Sequence, residues 1–306
     1  MSGLREVLLV TLGVFGGVFS FLWGRDLTRK RKLSSEAPPG GSDEGHASTL
    51  PRLPTPAQLG IGLVTDFFDA LGIGSFATTT SIYKLLRMVP DRLIPGTLLV
   101  GHMWPTVAQA VIFLSILKVE MTSLVSLVGA SILGSWAGAG VVSAWPKRKI
   151  QIGMGFALLG AAALMAVKAQ GWSPSEGATL GLHGYKLGIG LVGNFTFGAL
   201  MNLGIGAYAP SLILLGFLGM DIQAIFPIMS SSCAFIMPTS GIRFIRRGSY
   251  ATRAALGLAL GGVPGVLLAA YVVKQLPVKY LMWLVVVVAT YSALAMLRSA
   301  RQESTK

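Results

Sequence analysis

Charged positions in this chain are sparse and bunched, and between them lie long runs with no charge at all. Uncharged runs cover residues 7–24, 93–117, 121–146, 150–167, 187–220, 222–242, 254–273 and 280–297, while 53–83 is interrupted only by Asp66 and Asp69. A hydrocarbon layer about 30 Å thick is crossed by about 20 helical residues, so most of these runs predict transmembrane helices. Two do not fit: at 1.5 Å per residue, 187–220 would make a helix of about 51 Å, too long for one crossing and tight for two. Both that run and 53–83 carry a Gly-x-Gly near the middle, Gly72-Ile73-Gly74 and Gly204-Ile205-Gly206. Glycine lets the backbone leave the helical region there, and the spacing predicts two broken, re-entrant helical hairpins.

The two oddities belong to a duplication. Leu59-Gly-Ile-Gly-Leu-Val64 recurs as Leu187-Gly-Ile-Gly-Leu-Val192, and Leu71-Gly-Ile-Gly74 as Leu203-Gly-Ile-Gly206. Pro95 matches Pro227, and Met103-Trp-Pro105-Thr106 matches Ile236-Met-Pro238-Thr239. Further on, Ala130/Gly134/Gly138 align with Gly257/Gly261/Gly265, two ladders of small residues that allow close helix approach. The repeats span roughly 57–170 and 186–300. Ahead of them stand a membrane anchor, 1–24, too long and too rich in Gly and Trp for a signal-peptide core, and a basic, then Pro/Gly/Ser-rich segment, 25–56, expected to be a disordered cytoplasmic linker.

Composition agrees with the pattern. Of 306 residues 53% are hydrophobic and only 12% charged, which excludes a water-soluble fold and suits about seven or eight crossings. The net charge of +13 would suggest nucleic acid in a soluble chain, but here it is orientation charge. If each broken segment enters and leaves on one face, 19 of the 25 Lys and Arg residues fall on the inner side; if both cross fully, 16 do. The hairpin arrangement is therefore preferred, and because each repeat is then a hairpin plus three crossings, the second is inverted relative to the first. The expected fold is an all-α polytopic membrane protein of two inverted repeats with an extra N-terminal anchor. The linker and C-terminus are expected to face the cytoplasm and the N-terminus to lie outside; the basic cluster at 25–32 reads first as a topology signal, with contact to anionic lipid headgroups as the alternative.

Inverted repeats with interrupted helices are the architecture of secondary transporters, whose half-helix N-termini present amide donors to an anion. The candidate substrate-binding residues are accordingly Gly72, Gly74, Ser75, Thr78 and Thr79 in the first break, Asn202, Gly204 and Gly206 in the second, and Ser230 and Ser231 farther along. The plainer alternative is that these glycines and serines only serve helix packing. Asp66 lies about 13 Å into its segment, where an ionisable group costs at least about 2.5 kcal/mol on insertion scales and is a candidate proton carrier. Its repeat position is Asn194, also polar. Asp69 ranks below it because its repeat position is the apolar Phe197; His102, beside Trp104 and Pro105, is a third proton-coupling candidate. For each of the three a packing or solvated role is the competing reading.

Several motifs fail on context. Gly188-x-Gly190-x-x-Gly193 spells a dinucleotide fingerprint with no strand before it, and Asn194-Phe-Thr196 is a glycosylation triplet inside an apolar run. Cys233 is the sole cysteine, so no intrachain disulfide or Cys-based zinc site is expected, and it reads as a packing residue. No catalytic constellation, metal site or cofactor motif is visible, so an enzyme is not expected.

The glycine motifs resemble the TauE/SafE family of sulfite and organosulfonate exporters. The likeness is clearest at Gly198 to Pro210, at Ala224-Ile-Phe-Pro-Ile-Met-Ser-Ser-Ser232, and from Gly248-Ser-Tyr250 to Leu260-Gly-Gly-Val-Pro-Gly265. Family members usually carry a fuller glycine run followed by Val-Pro, where this chain has Leu-Gly-Ile-Gly-Ser-Phe-Ala and Leu-Gly-Ile-Gly-Ala-Tyr-Ala-Pro. The resemblance implies an inner-membrane exporter of a small anion such as sulfite or an organosulfonate; the breaks and the buried acids add proton coupling. An anion channel, and a membrane scaffold that moves nothing, are the alternatives.

Overall fold

In the computed structural model the described residues are 2–36, 53–72, 74–141, 179–201, 206–275 and 278–302, with isolated positions between 148 and 170. Among them there is no strand, only an isolated bridge between Thr179 and Met220. The helices are α1 (Ser2–Glu36), α2 (Pro56–Ala70), α3 (Ser75–Leu85), α4 (Ile94–Gly101), α5 (Met103–Ile116), α6 (Met121–Val141), α7 (Gly184–Met201), α8 (Tyr208–Phe217), α9 (Ile222–Arg246), α10 (Thr252–Gln275) and α11 (Val278–Gln302), with a 3₁₀ turn at Asp91–Leu93. Among the described residues, five stretches are long and apolar enough to cross a membrane: Gly3–Lys32, Asp91–Ile116, Met121–Gly138, Ile222–Arg246 and Thr252–Tyr271. The fold is that of an all-helical, multi-pass membrane protein.

The first broken segment is a hairpin. Its α2 limb starts at a capping box, in which Gln58 N–H donates to Thr55 Oγ1 and Thr55 N–H to Gln58 Oε1, with Pro56 at the first helical position. Arg253 donates to the Leu53 carbonyl at 2.9 Å, so this start lies against the first turn of α10. The far limb, α3, returns to the same place: Tyr83 Oη donates to the Ala254 carbonyl at 3.5 Å, and Thr97 of the next helix accepts from Ala251 N–H at 2.9 Å. The second broken segment has both ends at the opposite end of the bundle. Asp221 N–H donates to Thr179 O, Glu120 N–H to Leu180 O, and Leu182 N–H to Ser123 Oγ, which ties the approaches to α7, the end of α8 and the start of α6 together. Lys84, Arg87, Arg92, Arg243, Arg246, Arg247 and Arg253 all flank the first end.

The small-residue ladders are contact surfaces. A Cβ at Gly261 or Gly265 would collide with the Leu59 or Leu63 carbonyl, and one at Gly134 or Gly138 with Phe195 or Ala199. Thus α10 lies along α2 and α6 along α7, each pair parallel and each joining one repeat to the other. The helix buried on nearly every side is α9, against which α1, α4, α5, α6 and α8 pack. Its apolar residues surround the whole helix, as a central helix requires.

The anchor departs from the sequence expectation. Residues 25 to 36, assigned to the linker, continue α1 as helix. Their Arg, Lys, Leu and Glu content favours helix, and Lys30 is held from the side: its Nζ is 2.9 Å from Asp26 Oδ2 and 3.1 Å from Thr252 Oγ1, above the Tyr250 ring. Residues 37–52 lie outside the described residues.

Candidate functional site

The tips of the two hairpins meet. The place where a Gly74 Cβ would stand is 3.7 Å from Tyr208 Cβ, and that of Gly206 is 3.5 Å from Phe76 Cβ. By the duplication Gly74 corresponds to Gly206 and Phe76 to Tyr208, so the contact is reciprocal. The break itself uses φ values of +104° at Gly72 and +82° at Gly74, the left-handed region that a side chain resists. Ile73 and residues 202–205, including Asn202 and Gly204 of the expected site, lie outside the described residues.

Beside the meeting point is a buried polar chain. His102 Nδ1–H donates to the Asp66 carboxylate, 2.8 and 2.9 Å from its two oxygens, and His102 Nε2 is 3.1 Å from Thr79 Oγ1. All three residues have no exposure. With the carboxylate fixing the tautomer, a neutral imidazole accepts from the Thr79 hydroxyl and an imidazolium donates to it, so one hydroxyl rotation accompanies a change of charge. His102 stands where the uncharged run 93–117 divides into α4 and α5, because Pro105 supplies no N–H to the carbonyl four residues back. Room for Asp66 comes from Gly262, where a Cβ would strike its carboxylate.

Asp69 does something different. Its Oδ1 accepts from Ser75 N–H at 2.5 Å, which puts a carboxylate on the N-terminal amide of the α3 half-helix. The helix end expected to receive a substrate anion holds one of the chain's own.

Buried polar atoms without a hydrogen-bond partner include Ser75 Oγ at the break, Thr106 Oγ1 and Gln109 Oε1 on α5, and Ser231 Oγ and Ser232 Oγ on α9. Gln109 Nε2–H donates to Tyr208 Oη, and Cys233 Sγ lies 3.9 Å from Met201 Sδ in the same region. Two expected ligands turn to their own helices: Thr78 bonds the Gly74 and Ser75 carbonyls, and Ser230 those of Phe226 and Pro227. Asn194 is also spoken for, donating to Gly190 O and accepting from Ser131 and Ser211.

Tyr208, Gln109, Thr106 and Ser232 were not among the expected site residues. A signal existed for the first, since Tyr208 repeats Phe76 with a hydroxyl added, and for Gln109, a polar residue midway along an uncharged run. The apolar surface groove lined by Val125, Gly129, Leu133, Leu191 and Phe195 is apart from all of this.

A closed cluster of acids, hydroxyls and an imidazole inside a helical membrane bundle suits the handling of a small polar solute, and comparison with known families agrees. The profile of the family described as sulfite exporter TauE/SafE matches residues 57–296. The chain belongs to this family. The match begins at the α2 hairpin and takes in both hairpins and the whole polar cluster, leaving α1 outside. Membership implies a membrane transporter of the sulfite or anion exporter type, acting on a small anionic solute. None of the curated proteins and none of the solved structures compared with the chain matches it.

Proposed function

We propose that this protein is an inner-membrane secondary transporter that exports sulfite or an organosulfonate in exchange with protons, its two repeats inverted relative to one another. The observation that carries the reading is a set of unpartnered buried polar groups drawn from both repeats, with Ser75 at the break itself and Gln109 against Tyr208 among them. Buried hydroxyls and amides are rarely left unpaired, since each costs about 1–3 kcal/mol, and a bound oxyanion with several acceptor lone pairs answers the donors among them. Ser75, Thr79, Tyr208, Ser231 and Ser232 supply hydroxyls to such an anion, with Gly72, Gly74 and Gly206 opening the backbone for its approach. Asp66 and His102 form the proton-coupling pair, Asp66 being the group whose charge changes and His102 its hydrogen-bonded partner.

The basic residues gathered at the end holding Arg253 support a cytoplasmic assignment for that end, with the linker and C-terminus there and the N-terminus outside. Neither a cofactor nor a metal enters this scheme. The deciding experiment is counterflow of radiolabelled sulfite in proteoliposomes. Saturable exchange accelerated by internal sulfite is expected; flux without saturation would mean a channel, and no movement of sulfite or of a simple sulfonate would overturn the anion reading.

A further inference from the structure

We infer that the Asp69 carboxylate is a tethered stand-in for the transported oxyanion: it holds the amide end of the α3 half-helix while the site is empty and yields that position when the anion arrives. The inference rests on the anion reading above and goes beyond it in giving the chain an internal competitor for its own substrate.

Four observations meet here. The first turn of a helix leaves N–H groups without intrahelical partners, and its positive dipole end favours an anion. At α3 that place is taken by Asp69 Oδ1, 2.5 Å from Ser75 N, reached from six residues back across the break. Ser75 Oγ, on the residue whose amide makes this bond, is buried and makes no hydrogen bond of good geometry, yet stands close enough to act on the Asp69 carboxylate, so the position can serve two acceptor oxygens at once. The bond also spans a hinge: Gly72 and Gly74 both have positive φ, so the carboxylate and the helix end can separate by rotation at glycines without straining a side-chain-bearing residue.

Asp69 is 4% exposed, and the groups around it are Asp66, His102, Ser75, Tyr208 and Cys233. None of these is a Lys or Arg that would hold a second anion beside it. An incoming oxyanion therefore displaces the carboxylate rather than joining it, and the helix end is never left bare. The solute that fits is a compact oxyanion presenting at least two acceptor oxygens, one for the Ser75 amide and one for its hydroxyl.

The test uses the purified full-length chain and sodium sulfite, with methanesulfonate as a second probe. Removing the competitor by Asp69→Asn is expected to lower the half-saturation concentration for sulfite at least fivefold and to slow turnover, because release loses its replacement anion. Ser75→Ala is expected to raise half-saturation severalfold. The infrared difference spectrum of the Asp66→Asn protein, with minus without sulfite, should still show one perturbed buried carboxylate. That arm needs no change at Asp69 and stands if Asp69→Asn does not fold. An unchanged or raised half-saturation in folded Asp69→Asn, or an infrared spectrum without a carboxylate band, overturns the inference. Sulfite binding that Gly74→Val abolishes while Asp69→Asn matches wild type would leave the anion reading standing without the stand-in. A wild-type protein that binds neither probe overturns both.

Discussion

Asp66, His102 and Thr79 are worth more together than singly, because a buried charge is tolerated only when paired and hydrogen-bonded. His102→Ala would leave Asp66 alone in an apolar setting, and a loss of about 3–5 kcal/mol is expected, seen as a sharp fall in the detergent unfolding temperature. Asp66→Asn keeps size and a hydrogen-bonding oxygen but does not titrate. That variant should retain sulfite exchange while net flux stops following an imposed pH gradient; gradient-driven flux at wild-type level would make Asp66 a structural partner of His102 only. Gly74→Val tests the break itself, since a β-branched side chain resists φ of +82° and crowds Tyr208. Transport should be lost while the protein still inserts, and unchanged kinetics would return this glycine to packing. Sequence reasoning ranked Asp69 below Asp66 on the ground that its repeat position is Phe197. Its bond to the Ser75 amide shows why such a ranking misleads: the duplication reports which positions descend together, not which of them has since acquired a local partner.

At the scale of elements, the glycine ladders decide which helices lie together. Replacing Gly261 by valine forces α10 away from the Leu59 carbonyl, and overpacking of this kind typically costs about 1–3 kcal/mol. A lowered unfolding temperature is expected for Gly261→Val, with little effect for Gly60→Val, whose added Cβ would meet nothing. The two ladders were legible as motifs, but not the helix each one faces, since Gly-xxx-Gly spacing carries no address. Nor is the packing strictly duplicated: Gly261 meets Leu59, whereas its counterpart Gly134 meets Phe195, about two turns beyond the repeat position Leu187. Hairpin direction belongs to this scale as well. In a Cys233→Ser background, a single cysteine at residue 219 should react with an impermeant maleimide on intact cells and one at residue 88 should not; the reverse result would invert the proposed orientation.

Over the whole molecule, the anchor helix is more than a tether. Phe19 is fully buried and approaches Gly241, Phe15 stacks edge-on against Phe235, and nearer the C-terminal end of the helix Asp26 accepts from Tyr250 Oη at 2.5 Å. Burial first, and then the adjacent Asp26 carboxylate, push the Tyr250 hydroxyl well above the ordinary tyrosine range, so it stays a donor at any working pH. Tyr250→Phe should therefore cost about 0.5–1.5 kcal/mol, since Asp26 loses one hydrogen bond but keeps Lys30, read as a lower unfolding temperature with transport intact. The sequence by itself determined the membrane environment, the helical class, the duplication and the two breaks, because charge-free length and glycine pairs are local quantities set by hydrocarbon thickness and backbone sterics. It also placed Asp66, Asp69 and His102 in apolar surroundings. Only the tertiary structure decided that Asp66 pairs with His102, that Asp69 caps the half-helix beyond it, and that Tyr208 of the second repeat meets Gln109 of the first beside them. Those contacts join residues 6 to 99 positions apart, through crossings that depend on where side chains meet carbonyls in three dimensions.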